Sequence, residues 1–302
     1  MEHHHTHHHE HVHQITSLNR IFVAVIVLNL LFVAVEAGIG FYKNSLGLLS
    51  DAGHNLGDVF SLVLALIAFK LSKAHRNKRY TYGYKKSTVL ISLLNAIILL
   101  VAVGAIIMES IRKIGLPAEV DGAAVSWTAG IGILINGVSA WLLRTNQKSD
   151  INVRGAFLHM AADTLVSIGV VISGFIISRT GYMIVDPIVS LFIALIILIS
   201  TWHLLTESLR LSLDGIPEQI NPDEVIGQMR SVSHVTDVHH VHVWAVSTVD
   251  IALTAHLVID RLSEMEAVKE AVRHQLETMG IAHSTLEVET AETRCTQHEC
   301  EW

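Results

Sequence analysis

The sequence predicts a polytopic α-helical membrane protein: a six-helix transmembrane bundle followed by a small C-terminal α+β domain. Composition gives the first reason. Of 302 residues, 51% are hydrophobic and only 16% charged, with a mean hydropathy of +0.46, far on the apolar side for a soluble chain of this length. The second is that apolar runs of about 20 residues, enough to cross a hydrocarbon core as helix, recur through the first two thirds of the chain. The third is a division of charge: from Asp214 onward 16 acidic and 5 basic residues give a net −11, whereas the part before it carries +4.

The runs fall near 20–41, 46–70, 87–112, 123–144, 152–178 and 186–208. Six crossings put both termini on one side, and Lys and Arg choose it. Lys70, Lys73, Arg76, Lys78, Arg79, Lys85 and Lys86 lie between the second and third runs, and Arg144, Lys148 and Arg154 between the fourth and fifth. The opposite connections hold Lys43, Arg112, Lys113 and Arg179. The positive-inside bias therefore predicts cytoplasmic termini, and the basic run around Lys78 and Arg79 suits lipid headgroups. Basic residues confined to such connections, beside an acidic C-terminal part, exclude a nucleic-acid binder.

Residues 1–19 form a His-rich, cytoplasmic N-terminal segment, with eight His among the first thirteen residues. The interrupted pattern HHH-T-HHH-E-H-V-H reads as a native metal-capturing tract rather than a tag, and nothing in it resembles a cleavable signal peptide. The transmembrane domain then occupies 20–210. Gly215 and Pro217 open a soluble domain over 211–290, in which Asn221-Pro222 reads as a helix cap and first helical position. Helices are expected at 222–231 and 263–279, the second ended by Gly280, and strands at 236–246, 249–260 and 283–290. That order, αββαβ, fits a ferredoxin-like sandwich. The polar tail, 291–302, holds both cysteines, Cys295 and Cys300, which read as thiols in a reducing compartment rather than a disulfide framework.

Chemistry enters with a repeated motif. The second run contains His54-Asn-Leu-Gly-Asp58 and the fifth contains His159-Met-Ala-Ala-Asp163. Residues four apart on a helix share a face, so each H-x-x-x-D offers one imidazole and one carboxylate to the same point. Two such helices facing each other supply two nitrogens and two oxygens, a set that suits tetrahedral Zn²⁺. Ionisable groups at membrane depth are costly unless paired or facing a polar cavity, so four at matched spacing call for a shared purpose. Asp51, one turn before His54, reads as an outer-shell partner or entry group because four ligands already fill the site.

Together with Arg79-Tyr-Thr-Tyr-Gly-Tyr84 and Val238-His-His-Val-His-Val-Trp244, these motifs make the chain resemble the cation diffusion facilitators over nearly its whole length. This family comprises bacterial zinc and cobalt-zinc-cadmium exporters and animal zinc transporters. The resemblance implies a homodimer through a cytoplasmic ferredoxin-like domain and a place in a bacterial inner membrane. In the first His position, members with Asp resemble less selective carriers, so His54 favours zinc. The family's loop site between spans two and three needs several ligands, and this loop offers only His75.

In the soluble domain His239, His242, His256, His283 and Glu289 lie on segments expected side by side in one sheet, and by resemblance they match the family's cytosolic zinc sites. Cys295 and Cys300 add soft ligands. Strand alternation turns His240 to the opposite face. His203, His234, His274 and His298 have no partner at ligand spacing and read as solvated or capping groups. Gly38, Gly40, Gly53, Gly57, Gly130, Gly132 and Gly137 suggest close helix packing, and Asn29, Asn95 and Asn136 interhelical hydrogen bonds.

No phosphate-binding G-x-x-x-x-G-K-[ST] loop occurs, so the expected energy source is a gradient rather than ATP. Metal needs neutral imidazole, so exchange of Zn²⁺ for protons at His54 and His159 is the expected coupling. An intramembrane metallohydrolase lacks its H-E-x-x-H or a placed base here, leaving a non-transporting metal sensor as the other class to separate by efflux. The chain is thus expected to be a Zn²⁺/H⁺ antiporter and not an enzyme, with Cd²⁺ and Co²⁺ as further candidate substrates.

Overall fold

The computed structural model describes residues 9–43, 46–115, 122–145, 147, 150–182 and 184–292, and its account of side chains leaves out, among others, 9–19, 46–51, 53–54 and 122–129. Six long helices occupy the first part: α1 (His9–Lys43), α2 (Leu46–Ser72), α3 (Ser87–Gly115), α4 (Gly122–Leu143), α5 (Ile151–Thr180) and α6 (Val185–Ser212). Among the described residues, four carry stretches long and apolar enough to cross a membrane: Arg20–Ile39, Asn55–Ser72, Ser87–Arg112 and Pro187–Ser212. Of α4, only the part Gly130–Leu143 of its apolar length falls among the residues whose side chains are described, and the apolar run of α5 is interrupted by Arg154, His159 and Asp163. The predicted boundaries differ most at α1. Its helix begins at His9 rather than near 20, so part of the His-rich segment is the first turns of a 35-residue helix.

Large apolar side chains such as Leu31, Val101, Phe192 and Ile199 face outward, while Asn29, Ser61, Ser92 and Asn95 are buried. A helix with no water outside it gains by this arrangement, because its polar groups find partners only within the bundle. Two groups of helices result. Phe22 and Val25 of α1, Val59 and Leu62 of α2, Ala140 and Leu143 of α4, and Val153 and Met160 of α5 form one core. Val89 and Leu99 of α3 pack with Leu204 and Leu211 of α6 in another. The α5 helix belongs to both, through Ile151 and, farther along, through Ala162 against Val103, Ala194 and Ile197.

Polar ties support each group. Asn29 Nδ2 donates to Ser139 Oγ at 3.0 Å across α1 and α4, and the hydroxyls of Ser92 and Ser208 meet at 3.0 Å across α3 and α6. Of the predicted glycines, Gly132 and Gly137 of α4 lie against α5, where a Cβ would stand 3.5 Å from Ser167 Oγ and 3.7 Å from Thr164 Cγ2. A Cβ on Gly155 of α5 would stand 2.8 Å from Asn95 Nδ2 of α3, whereas at Gly38, Gly57 and Gly130 it would meet nothing within 4 Å. Those three glycines therefore do not set a helix spacing within this chain.

Beyond α6 follow α7 (Pro222–Arg230), β1 (Val235–Ala245), β2 (Ile251–Ile259), a short 3₁₀ turn (Leu262–Glu264), α8 (Met265–Thr278) and β3 (His283–Thr290). Asn221 caps α7 by accepting from the amide of Asp223 at 3.0 Å, with Pro222 in the first turn where its missing N–H costs nothing. The sheet runs β1-β2-β3, with β1 antiparallel and β3 parallel to β2. Helices α7 and α8 cover one face, packing Val225, Met229, Val268, Val272 and Leu276 on Val238, Val241, Val243, Leu253 and Leu257.

The turn joining β1 to β2 sits against the ends of α3 and α5. Thr248 donates its amide to Thr88 Oγ1 at 3.0 Å and its hydroxyl to Asp150 Oδ1 at 3.2 Å, and Lys85 pairs with Asp250 at 3.1 Å. Lys86 Nζ reaches Asp214 and the carbonyls of Leu211 and Ala245, the latter two at 2.8 and 3.1 Å. Asp150 also accepts from the amide of Asn152 at 2.8 Å, capping the start of α5. Enclosure of its carboxyl from water pushes the Asp150 pKa up, against the pull of these hydrogen bonds.

Candidate metal centre

The two H-x-x-x-D helices meet. His159 Nε2 of α5 stands 2.6 Å from Asp58 Oδ1 of α2 and 3.8 Å from Asp163 Oδ2, one turn along its own helix. Asp58 and His159 are almost fully buried and the Asp163 side chain is 16% exposed. One nitrogen or oxygen from each of the three lies within 4.8 Å of the others. Helical geometry builds this locally: four residues advance the chain about 6 Å and return it to the same face, so the imidazole and carboxylate of α5 address one point opposite Asp58. His54 lies on α2, one turn before Asp58, and its side chain, like that of Asp51, lies outside the described residues.

Glu36 stands outside the residues expected at the site. This carboxylate of α1 is buried, and its Oε2 accepts from Asn55 Nδ2 of α2 at 2.8 Å, beside His54 in sequence. An acid within an otherwise apolar run was the available signal.

A second cluster sits on the sheet face opposite the helices. His256 Nδ1 lies 2.8 Å from Glu289 Oε1, His239 Nε2 lies 3.6 Å from Glu289 Oε2, and His256 Nε2 lies 3.3 Å from Glu287 Oε2. The ligand atoms of His239, His256 and Glu289 fall within 4.8 Å of one another, with His256 and Glu289 buried. Two imidazoles and a carboxylate at that separation fit a zinc ion with one position to spare.

Here strand alternation fails for His240. The register shifts between His239 and His242, His240 has a φ of +49°, and three β1 residues span what two cover in β2. This bulge sends both Val238 and Val241 to the core and leaves His239 and His240 together on the other face. The His240 ring centroid lies 4.9 Å from that of His256 and 5.4 Å from that of His239. Glu287, two residues before Glu289 on the same face, was readable from alternation and was missed. His242 is exposed and stands opposite Thr254, outside the three-residue set. His283 begins β3 opposite Ala252, four positions before Glu287 and so roughly 13 Å along the strand. Its ring packs edge-on against Tyr82 at 5.6 Å. Cys295 and Cys300 lie outside the described residues, and His75 is exposed in the α2–α3 connection.

Two of the histidines expected to be solvated or capping groups have acidic neighbours. His234 pairs with Asp260 at 2.9 Å. His203 does have a partner at ligand spacing, since Glu207 follows it by four and the two gather with Glu218.

Comparison with known proteins follows the same division of the chain. Residues 22–211 match the family model described as the cation efflux transmembrane domain, and residues 217–291 that of the cation efflux protein, cytoplasmic domain. The chain is 33% identical over 264 residues to a cadmium, cobalt and zinc/H(+)-K(+) antiporter of Bacillus subtilis (strain 168), spanning 86% of this chain and 85% of that one. It is 36% identical over 261 residues to the zinc transporter ZitB of Escherichia coli (strain K12), with 85% and 83% covered. To the metal cation efflux system protein CzcD of Cupriavidus metallidurans it is 33% identical over 262 residues, with 86% and 83% covered. The chain therefore belongs to the cation diffusion facilitator family of cation-efflux proteins.

Proposed function

We propose that this protein exports Zn²⁺ from the cytoplasm in exchange for protons, through a tetrahedral site of His54, Asp58, His159 and Asp163. The observation that carries the reading is the meeting of Asp58 with His159 and Asp163 in a buried position between α2 and α5. In this reading α1 to α6 are six membrane spans with cytoplasmic termini in a bacterial inner membrane. The ferredoxin-like domain over 211–290 faces the cytoplasm, pairs with that of a second copy, and holds zinc through His239, His256 and Glu289 as a regulatory or structural ion.

The chemistry follows from the ligands. Asp58 and Asp163 bring two negative charges that a dication neutralises, which offsets the cost of taking it out of water. An imidazole binds Zn²⁺ only when neutral, and with an ordinary pKa of about 6.5 it takes a proton once the metal has left. Loading from the cytoplasm thus displaces protons, and release outside lets His54 and His159 regain them. Rocking between the α3–α6 pair and the α1, α2 and α4 group, with α5 packed against both, would turn the site from one side to the other. The relatives named for zinc, and for cadmium, cobalt and zinc, support a divalent transition metal as substrate, with zinc favoured by the His₂Asp₂ set.

Zinc flux in proteoliposomes tests this. Flux should follow an imposed pH gradient and reverse with it, and Asp163→Ala should abolish it in a chain that still folds. Flux indifferent to the gradient would remove the proton coupling, and flux at the unaltered level in Asp163→Ala would remove the site.

A further inference from the structure

A third H-x-x-x-acid pair ends α6: His203-Leu-Leu-Thr-Glu207. As in α2 and α5, the spacing puts an imidazole and a carboxylate on one helix face. A third ligand arrives from the segment leading to the soluble domain. The chain reverses at Asp214, whose φ is +59°, and Gly215 donates its amide to the carbonyl of Arg210 at 2.8 Å. A Cβ at Gly215 would lie 2.9 Å from that carbonyl oxygen, so only glycine lets the chain return this closely. The return brings Glu218 Oε2 to 3.4 Å from His203 Nε2. Ligand atoms of His203, Glu207 and Glu218 then fall within 4.8 Å of one another.

Two arginines flank the group. Arg154 of α5 donates to Glu207 Oε2 at 2.9 Å, and Arg210 lies 3.7 Å from Glu218 Oε2. Glu207 keeps Arg154 on Oε2 and has its second oxygen for a metal, whereas Glu218 turns one oxygen, Oε2, to both His203 and Arg210, so a bound metal would displace Arg210 from that oxygen or take the other. Hydrogen-bonded ligating carboxylates are the usual arrangement around bound metals. The positive neighbours also lower affinity for a dication, which suits a site that fills and empties rather than one that holds an ion permanently. Its place is specific: His203 and Glu207 are on α6, Glu218 is on the segment leading to the soluble domain, and Arg154 starts the helix that carries His159 and Asp163.

We propose that His203, Glu207 and Glu218 form a separate, exchangeable site for a divalent transition metal, whose occupancy clips the end of α6 to the segment that leads into the soluble domain. The site uses none of the residues assigned to transport or to the sheet cluster, so it stands or falls independently of them.

The test uses the purified full-length chain and Co²⁺ or Zn²⁺ alone. Trp202, exposed beside His203, reports locally when the other tryptophans are replaced by Phe. Co²⁺ should quench Trp202 saturably, Zn²⁺ should compete, and His203→Ala or Glu218→Gln should weaken the quenching at least about tenfold. In the chain with all tryptophans kept, each substitution should remove most of one zinc per chain at the free zinc concentration that just fills the unaltered site. Arg210→Lys, which keeps the charge near Glu218 and removes no ligand, should leave both readings in place. A zinc count unchanged by both His203→Ala and Glu218→Gln, or quenching that ignores them, would overturn the proposal and leave the cluster as ion pairs only.

Discussion

The helix cluster and the sheet cluster bring together the same kinds of group, imidazole and carboxylate, by opposite routes. In α5 an imidazole and a carboxylate meet because they are four residues apart, and α2 carries the same spacing. On the sheet, His239, His256 and Glu289 come from three strands far apart in sequence, and their meeting depends on strand register and on one bulge. Local geometry makes the first site robust and repetitive, whereas the second is set by pairing that no short motif encodes. The difference suits their proposed tasks: a transport site must survive helix movement, and a site built across strands reports whether the domain is in its native arrangement.

The comparison can be broken first at its larger end. Asp58→Ala removes a proposed ligand whose carboxylate is almost fully buried and takes away the neighbour of His159 Nε2. Zinc flux should fall by at least about 100-fold, at or beyond the upper range for lost metal-site partners, while circular dichroism keeps its helical signal. On the sheet, His256→Ala should weaken zinc binding to the soluble domain by about 10- to 100-fold on the same scale, measured in a chain carrying Asp163→Ala. In the otherwise unaltered chain it should reduce flux without abolishing it. Equal loss of flux from both substitutions would erase the distinction between the two sites.

The bulge offers a smaller effect of opposite sign. A non-glycine residue at a φ of +49° is strained by about 1–2 kcal/mol, partly offset in a glycine variant by glycine's greater chain entropy. His240→Gly should therefore stabilise β1 by about 0.5–1 kcal/mol, seen as amide exchange there slowed about two- to fivefold, while loosening zinc at His239 and His256. Faster exchange would mean that the ring contacts of His240 outweigh the backbone strain.

Smallest is the pH response of the junction. Burial raises the Asp150 pKa, so the folded state binds its proton more readily than the unfolded chain. The destabilisation from burying the carboxylate is present at high pH and is relieved as pH falls through the raised value, above the ordinary 3.8. Protection of the Thr248 amide should rise over that window, and Asp150→Asn should flatten the response.

Most of the helical architecture was legible because apolar length and the i, i+4 motif are local signals. The helix extension back to His9 was not, because composition marked a soluble tract and helix propagation does not respect that boundary. Neither was the side-by-side placement of His239 and His240, since alternation holds only while no residue is inserted. His283 was misplaced for a related reason: it shares a face with Glu289 but sits at the far end of β3, and face alone says nothing about distance along a strand. The His203–Glu207 pair repeats the spacing of the two transport motifs, but Glu218 joins it only through the chain reversal at Asp214 and Gly215, which no local pattern encodes.

The most direct measurement is zinc flux through His54→Ala in proteoliposomes under a fixed pH gradient, beside the unaltered chain. A four-ligand site with His54 as the second imidazole predicts flux lost to background with the protein still folded. Flux retained at the unaltered level would contradict the His₂Asp₂ site and leave a three-residue centre at Asp58, His159 and Asp163.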